Sequence, residues 1–207
     1  MSHRSQKARK AAGLVLMTGG FLFGLIGSLE FLESRLGQTQ AAREFREPVS
    51  SSTDSSPAVP RPRPPRQGEA IGKLMLPRLG TELYVVEGDG AAELLRGPGH
   101  LSGTAMPGED GNCIIAGHRD THFRVLKDVR KGDPIVVETR RGEFLYRVTA
   151  IRVVSPENRQ VLETSATPEL SLITCFPFYY VGAAPKRFVV EARLAKLMGG
   201  HSSPASS

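Results

Sequence analysis

The chain has 207 residues, two cysteines, no tryptophan and a formal charge of +6. That length fits one domain with extensions, and two cysteines with no CxxC pair or Cys/His cluster exclude a disulfide scaffold and a structural zinc site. The excess charge does not indicate nucleic acid: residues 1–69 hold ten Lys/Arg against six Asp/Glu, whereas residues 70–195 hold sixteen against fifteen, and a duplex-binding domain concentrates positive charge on its folded face.

The chain opens with a basic segment, residues 1–10, read as cytoplasmic. Residues 11–29, "AAGLVLMTGGFLFGLIGSL", carry no charge. At about 1.5 Å rise per residue such a run spans the roughly 30 Å hydrocarbon core of a bilayer. An anchor over residues 11–32 is expected. Basic residues before it and Glu30 and Glu33 after it predict an N-terminus in the cytoplasm and the remainder outside. A cleaved signal peptide is the rival reading, but "GQTQAA" after the run is a poor small-x-small site.

Residues 43–69, "REFREPVSSSTDSSPAVPRPRPPRQGE", are rich in Ser, Pro and Arg and poor in aromatics. They predict an unfolded linker, stiff in its Pro-Arg part. Removing residues 1–42 is accordingly expected to leave a folded, soluble domain. Residues 197–207 read as a disordered tail.

Residues 70–196 are the expected folded domain. The runs "IGKLMLP", "TELYVVEG", "GNCIIAG", "DPIVVET", "FLYRVTAIRVV", "ELSLITCF" and "RFVVEARL" read as strands, with Gly- and Pro-rich turn signals between them. "AAELLRG" and "FRVLKDVR" fit two short helices. This is the pattern of an all-β barrel or sandwich with short helices.

Three residues stand at predicted strand ends. Cys175 follows "SLIT", His118 follows "IIAG", and Arg187 opens the last run. Singly, each has a plain structural reading: a buried small hydrophobe, a structural histidine, a solvated arginine. Together they suit nucleophilic catalysis. A thiol attacks well only when ionised, an imidazole takes or balances its proton, and a guanidinium holds a developing oxyanion. Gly117, before the histidine, permits close approach of another segment.

At these residues the chain resembles a known family. "AGHRDTHF", "SLITC" and "RFVV" are similar to the three signatures of the sortases, cysteine transpeptidases of bacterial surfaces. The usual cysteine motif is TLxTC; Ser171 departs from it, while Leu172, Thr174 and Cys175 match. "GPGHLSGTAMPGEDGNCIIAGHRDTHF" and "TCFPFYYVGAAPKRFVV" most resemble class D sortases. The resemblance covers residues 71–195.

It implies an eight-stranded sortase-type β-barrel, with Cys175 at the end of strand seven and Arg187 in strand eight. It implies that Cys175 attacks the Thr carbonyl of an LPxTG-like sorting motif and forms a thioester, which an amine from cell wall or another protein resolves. His118 would act as acid and then base, and Arg187 would hold substrate and oxyanion. Thr174 would line the substrate site or support Arg187, and Ala116 and Val181 would line the site. The partners implied are a protein with a C-terminal sorting motif, an amine acceptor and the cell membrane. No cofactor and no metal are expected.

Neighbouring candidates get other readings. Cys113, on the opposite strand face from His118, is expected to pack in the core. His100 and His122 are alternative bases, His122 at the surface or in a cap, and Asp120 is expected to cap the following helix. Two other functions compete: a peptidase that only hydrolyses, and a non-catalytic barrel that binds surfaces. An L,D-transpeptidase would carry a Ser-His-Gly-Cys run, which "SLITC" lacks.

Overall fold

The computed structural model describes residues 16–21, 35–47, 63–180 and 182–198. Eight strands carry the fold: β1 (Ala70–Leu76), β2 (Thr81–Glu87), β3 (Gly99–His100), β4 (Gly111–Gly117), β5 (Pro134–Thr139), β6 (Gly142–Val154), β7 (Pro168–Phe176) and β8 (Lys186–Leu197). They close into a barrel in the order β1-β2-β3-β4-β7-β8-β6-β5. Only the β2/β3 and β4/β7 pairs are parallel.

The period-2 alternation of the sequence explains the inside. Leu74 and Leu76, Cys113 and Ile115, Ile135 and Val137, Tyr146 and Val148, and Leu170 and Leu172 all enter one core. Tyr146 is fully buried, and its hydroxyl accepts from the Gly108 N–H at 2.7 Å, so the ring enters the core without stranding its polar end. At the rim, Arg78 grips Asp133 with two hydrogen bonds, 2.7 and 2.8 Å, and holds that carboxyl below its usual range.

All seven predicted runs are strands. The eighth, β3, has only two residues and too little pattern to be read. "AAELLRG" is the helix Ala91–Arg96, while the second expected helix is a 3-10 helix, His122–Asp128. Its N-cap is Thr121, with no capping side-chain hydrogen bond, so Asp120 does not serve as the cap. His122 is buried rather than at the surface.

The main departure from expectation is at the N-terminal side. Residues 35–46 are helical and lie on the barrel. Gly37 approaches so closely that a Cβ there would meet the Arg96 Cα at 2.5 Å. The Gln38 amide donates to Tyr84 O and Arg96 O, both at 2.9 Å, and accepts from Tyr84 N–H at 2.7 Å. β3 pairs with β2 only at Val86 and Glu87, so one side chain satisfies a stretch of β2 that has β1 on one edge and no strand on the other. Ala41 is fully buried with Ala70 and Val86, and Glu44 accepts two bonds from Arg96. Residues 43–46 therefore belong to a packed helix and not to the linker. The linker's other end is also fixed, because Gly68 N–H donates to Glu87 O at 2.8 Å.

Removing residues 1–42 would thus take away Gln38 and Ala41. Deleting residues 1–47 is expected to cost about 2–3 kcal/mol and lower the calorimetric midpoint by about 5–10 °C. Deleting residues 1–34 is expected to leave the midpoint unchanged. Equal midpoints for the two truncations would show that the helix adds nothing to the barrel.

Of the expected anchor, residues 16–21 are described; they are helical, with Leu16, Met17 and Phe21 exposed. Among the described residues no helix is long and apolar enough to cross a membrane. The rest of the 11–32 span, residues 48–62 of the linker and residues 199–207 of the tail lie outside the described residues.

Candidate active site

β4 and β7 run parallel and in register, ending on the pair Gly117↔Thr174. One step beyond stand His118 and Cys175, level with each other at one rim of the barrel. Across β7, Cys175 is the direct partner of Arg187 in β8. Opposed residues in an antiparallel pair hold their Cβ atoms about 5 Å apart. The three candidates thus form one row, with the thiol in the middle.

Strand alternation sets which side they face. Leu172 and Thr174 turn inward, so Cys175 turns outward, half-buried. The next outward row is Ala116, Ile173 and Val189, by the pairings Ala116↔Ile173 and Ile173↔Val189. It makes an apolar floor beside the thiol, and it includes Ala116, one of the expected substrate contacts. Thr174 is buried on the inner side, where its hydroxyl donates to Gly117 O at 2.7 Å. It ties β7 to β4 directly behind the His118–Cys175 row instead of lining the outer face. Val181 lies outside the described residues.

Gly117 performs the close approach expected of it. A Cβ at that position would sit 2.7 Å from the Phe123 ring. The ring is fully buried, and Phe123 N–H donates to His118 O at 2.9 Å. The backbone that presents His118 is therefore fixed from below by a core aromatic.

Arg187 Nη1 donates to Lys186 O at 3.1 Å and Ala184 O at 3.3 Å. The guanidinium rests on the backbone of the β7–β8 connection. Its charge also helps hold the Glu157 carboxyl below its usual range, after the larger effects of the Ser155 hydroxyl and the Glu157 backbone N–H. Glu157 belongs to the β6–β7 connection, which begins just past Val154, the β6 partner of Arg187.

The alternative residues are placed elsewhere. Cys113 is 1 % exposed inside the core, where burial pushes its thiol far above the usual range. His100 is sealed, with Nδ1 at 2.7 Å from Glu87 Oε2 and Nε2 at 3.1 Å from Ala105 O. The Thr104 hydroxyl lies 3.0 Å from the same Nε2, so both ring nitrogens are engaged and His100 is committed to that network. Both cysteines are free. Among the described residues no group of three or more His, Cys, Asp or Glu side chains could hold a metal ion. A groove of about 810 Å³ lies apart from the row, between the 35–46 helix, β2 and residues 120–127.

Two side chains not singled out from sequence reach the segment after Cys175. They are Arg119, which contacts Pro177, Tyr180 and Gly182, and Arg124, which contacts Tyr179. Their only signal was position: both follow His118 within six residues.

Comparison with known proteins fits this arrangement. The model of the sortase domain matches residues 74–195. Sortase D of Bacillus subtilis (strain 168) is 34% identical over 186 residues, covering 88% of this chain and 93% of that protein. The structure of a Clostridium perfringens Sortase D5 transpeptidase superposes with a TM-score of 0.62 at 25% identity, over 79% of this chain and 99% of that one. Sortase E1 from Streptomyces coelicolor, solved with a tripeptide in its active site, gives a TM-score of 0.56 at 30% identity, over 63% of this chain and 92% of that one.

Proposed function

Because this chain belongs to the sortase family and is a transpeptidase, we propose that it cleaves an LPxTG-like sorting motif and joins the acyl part to an amine at the cell surface. The observation that supports this reading is the single row His118–Cys175–Arg187 on one outward rim. The Cys175 sulfur, as thiolate, attacks the Thr carbonyl carbon. The carbonyl oxygen takes the negative charge, and the Arg187 guanidinium turns from its loop carbonyls to hold it. The peptide C–N bond breaks, and the leaving amine takes its proton from the His118 imidazolium. A thioester remains. An incoming amine then attacks the same carbon, gives its surplus proton to His118, and the sulfur leaves as thiolate.

Ala116 and Ile173 would receive the apolar part of the motif. The resemblance of the two long stretches and the likeness to Sortase D support class D. The uncharged run at 11–29, with basic residues before it and acidic ones after it, supports a single-pass anchor with the catalytic domain outside the cytoplasm.

The test uses the full chain in membrane vesicles with an LPxTG-type peptide and a soluble amine. Intact-mass analysis is expected to show an acyl adduct on Cys175, and the products to include the amide. Acid alone as product, at saturating amine, would convert the reading to a hydrolytic peptidase. Recovery of the chain in the soluble fraction without detergent would remove the anchor.

A further inference from the structure

We propose that Arg119 is a positioning residue for the transfer step, clasping the segment between Cys175 and Arg187 to the turn that carries His118. The inference rests on the thioester reading above. Arg119 directly follows His118, and its side chain returns toward the β7–β8 connection. Nη2 donates to Tyr180 O at 2.8 Å and to Gly182 O at 3.1 Å, while Nη1 donates to Pro177 O at 3.3 Å. The guanidinium also lies 5.8 Å from the centre of the Tyr180 ring. One planar cation thus gathers three carbonyls spread over six residues. Arg124, five residues later, lies 5.7 Å from the Tyr179 ring and adds a weaker second hold.

The segment so held joins two reacting groups. Cys175 lies at its start and Arg187 at its end, and Arg187 hydrogen-bonds to Ala184 O and Lys186 O within it. Movement of residues 177–180 and 182–185 therefore moves the base of the Arg187 side chain and the wall beside the thiol together. His118 is fixed at the other end by Phe123. Arg119 connects these two bodies, with Arg124 as the weaker second link. It touches the loop backbone and not the reacting atoms, so it acts through the spacing of His118, Cys175 and Arg187.

Geometry of this kind governs rate more than binding. It also governs which nucleophile reaches the thioester. Attack by the amine gives an amide and the free thiol; attack by water gives a carboxylic acid and the free thiol. A loosened segment admits water without orienting the amine.

The experiment compares wild type, Arg119→Gln, Arg119→Lys and Arg124→Ala as full chains in detergent. Three quantities are read: kcat and KM for a sorting-motif peptide, the amide-to-acid product ratio at fixed amine, and hydrogen exchange of residues 178–184. Arg119→Gln is expected to lower kcat about tenfold while KM changes less than about threefold. Its product ratio shifts toward acid, and residues 178–184 exchange faster while the barrel strands do not. Arg119→Lys recovers only part of the loss, because an ammonium cannot serve three carbonyls from one plane. Arg124→Ala gives the smaller change.

A wild-type kcat and product ratio in Arg119→Gln would overturn the proposal. So would a rate loss accompanied by faster exchange throughout the barrel, which marks general destabilisation. Should wild type itself form no thioester, the transpeptidation reading falls, and exchange at 178–184 in the Arg119 variants still decides whether the clasp exists.

Discussion

Replacing Cys175 with alanine is expected to abolish the acyl adduct and bring product formation below about one thousandth of the wild-type rate. The sulfur is the atom that bonds to the substrate carbon, and Cys113, the other thiol, cannot replace it. Cys113 lies on the inward face of β4, 1 % exposed, and burial holds it in the protonated form. Cys113→Ala is therefore expected to keep most of the activity. Its cost is in stability, about 1–2 kcal/mol for a small core cavity. Intact-mass analysis of the two variants with peptide decides the matter. An adduct on Cys113 would overturn the face assignment.

Arg187→Lys is expected to lower the rate about a hundredfold, although charge is conserved. A guanidinium offers a planar fork that bridges an oxyanion and a neighbouring carbonyl, whereas an ammonium is a point charge. Lys186 supplies the contrast. It pairs with Phe176 and lies one residue off the catalytic row, exposed. Lys186→Ala is expected to stay within about twofold of wild type, as exposed side chains away from the reacting atoms do. Steady-state rates for the two variants check this. The reverse ranking would mean that β8 is shifted by one residue against β7.

Much of this site could be read in the sequence. Cys175, His118 and Arg187 each sit beside an apolar run with strand alternation, so their places at strand ends followed from the pattern. The inward turn of Cys113 followed from the same period. What escaped reading was held by contacts that leave no period. The 35–46 helix buries little more than Ala41 and Gly37 and leaves Leu36 exposed, so its apolar stripe is too thin to recognise. It is kept in place by the Gln38 amide against main chain, a contact that any polar surface residue could equally have lacked. β3 is two residues long and is defined by its neighbours. Thr174 matched a family motif, but its inward turn became plain only once the β4/β7 register was known. The Arg119 contacts run to backbone carbonyls, which carry no side-chain signature.

The parallel pairing of β4 with β7 has a consequence for when the chemistry exists. Gly117 and Thr174, which end that pair, are 57 residues apart in the chain. The whole β5–β6 hairpin intervenes, and it reaches the far side of the barrel before β7 returns beside β4. Contacts at such separation form late, because the loop must be closed before they stabilise anything. A chain with all its hairpins but an open barrel holds the thiol opposite Arg187, its β7–β8 hairpin partner, but without His118 beside it. The base thus reaches the thiol only through a long-range pairing, and the nucleophile lacks it while the polypeptide is still extended.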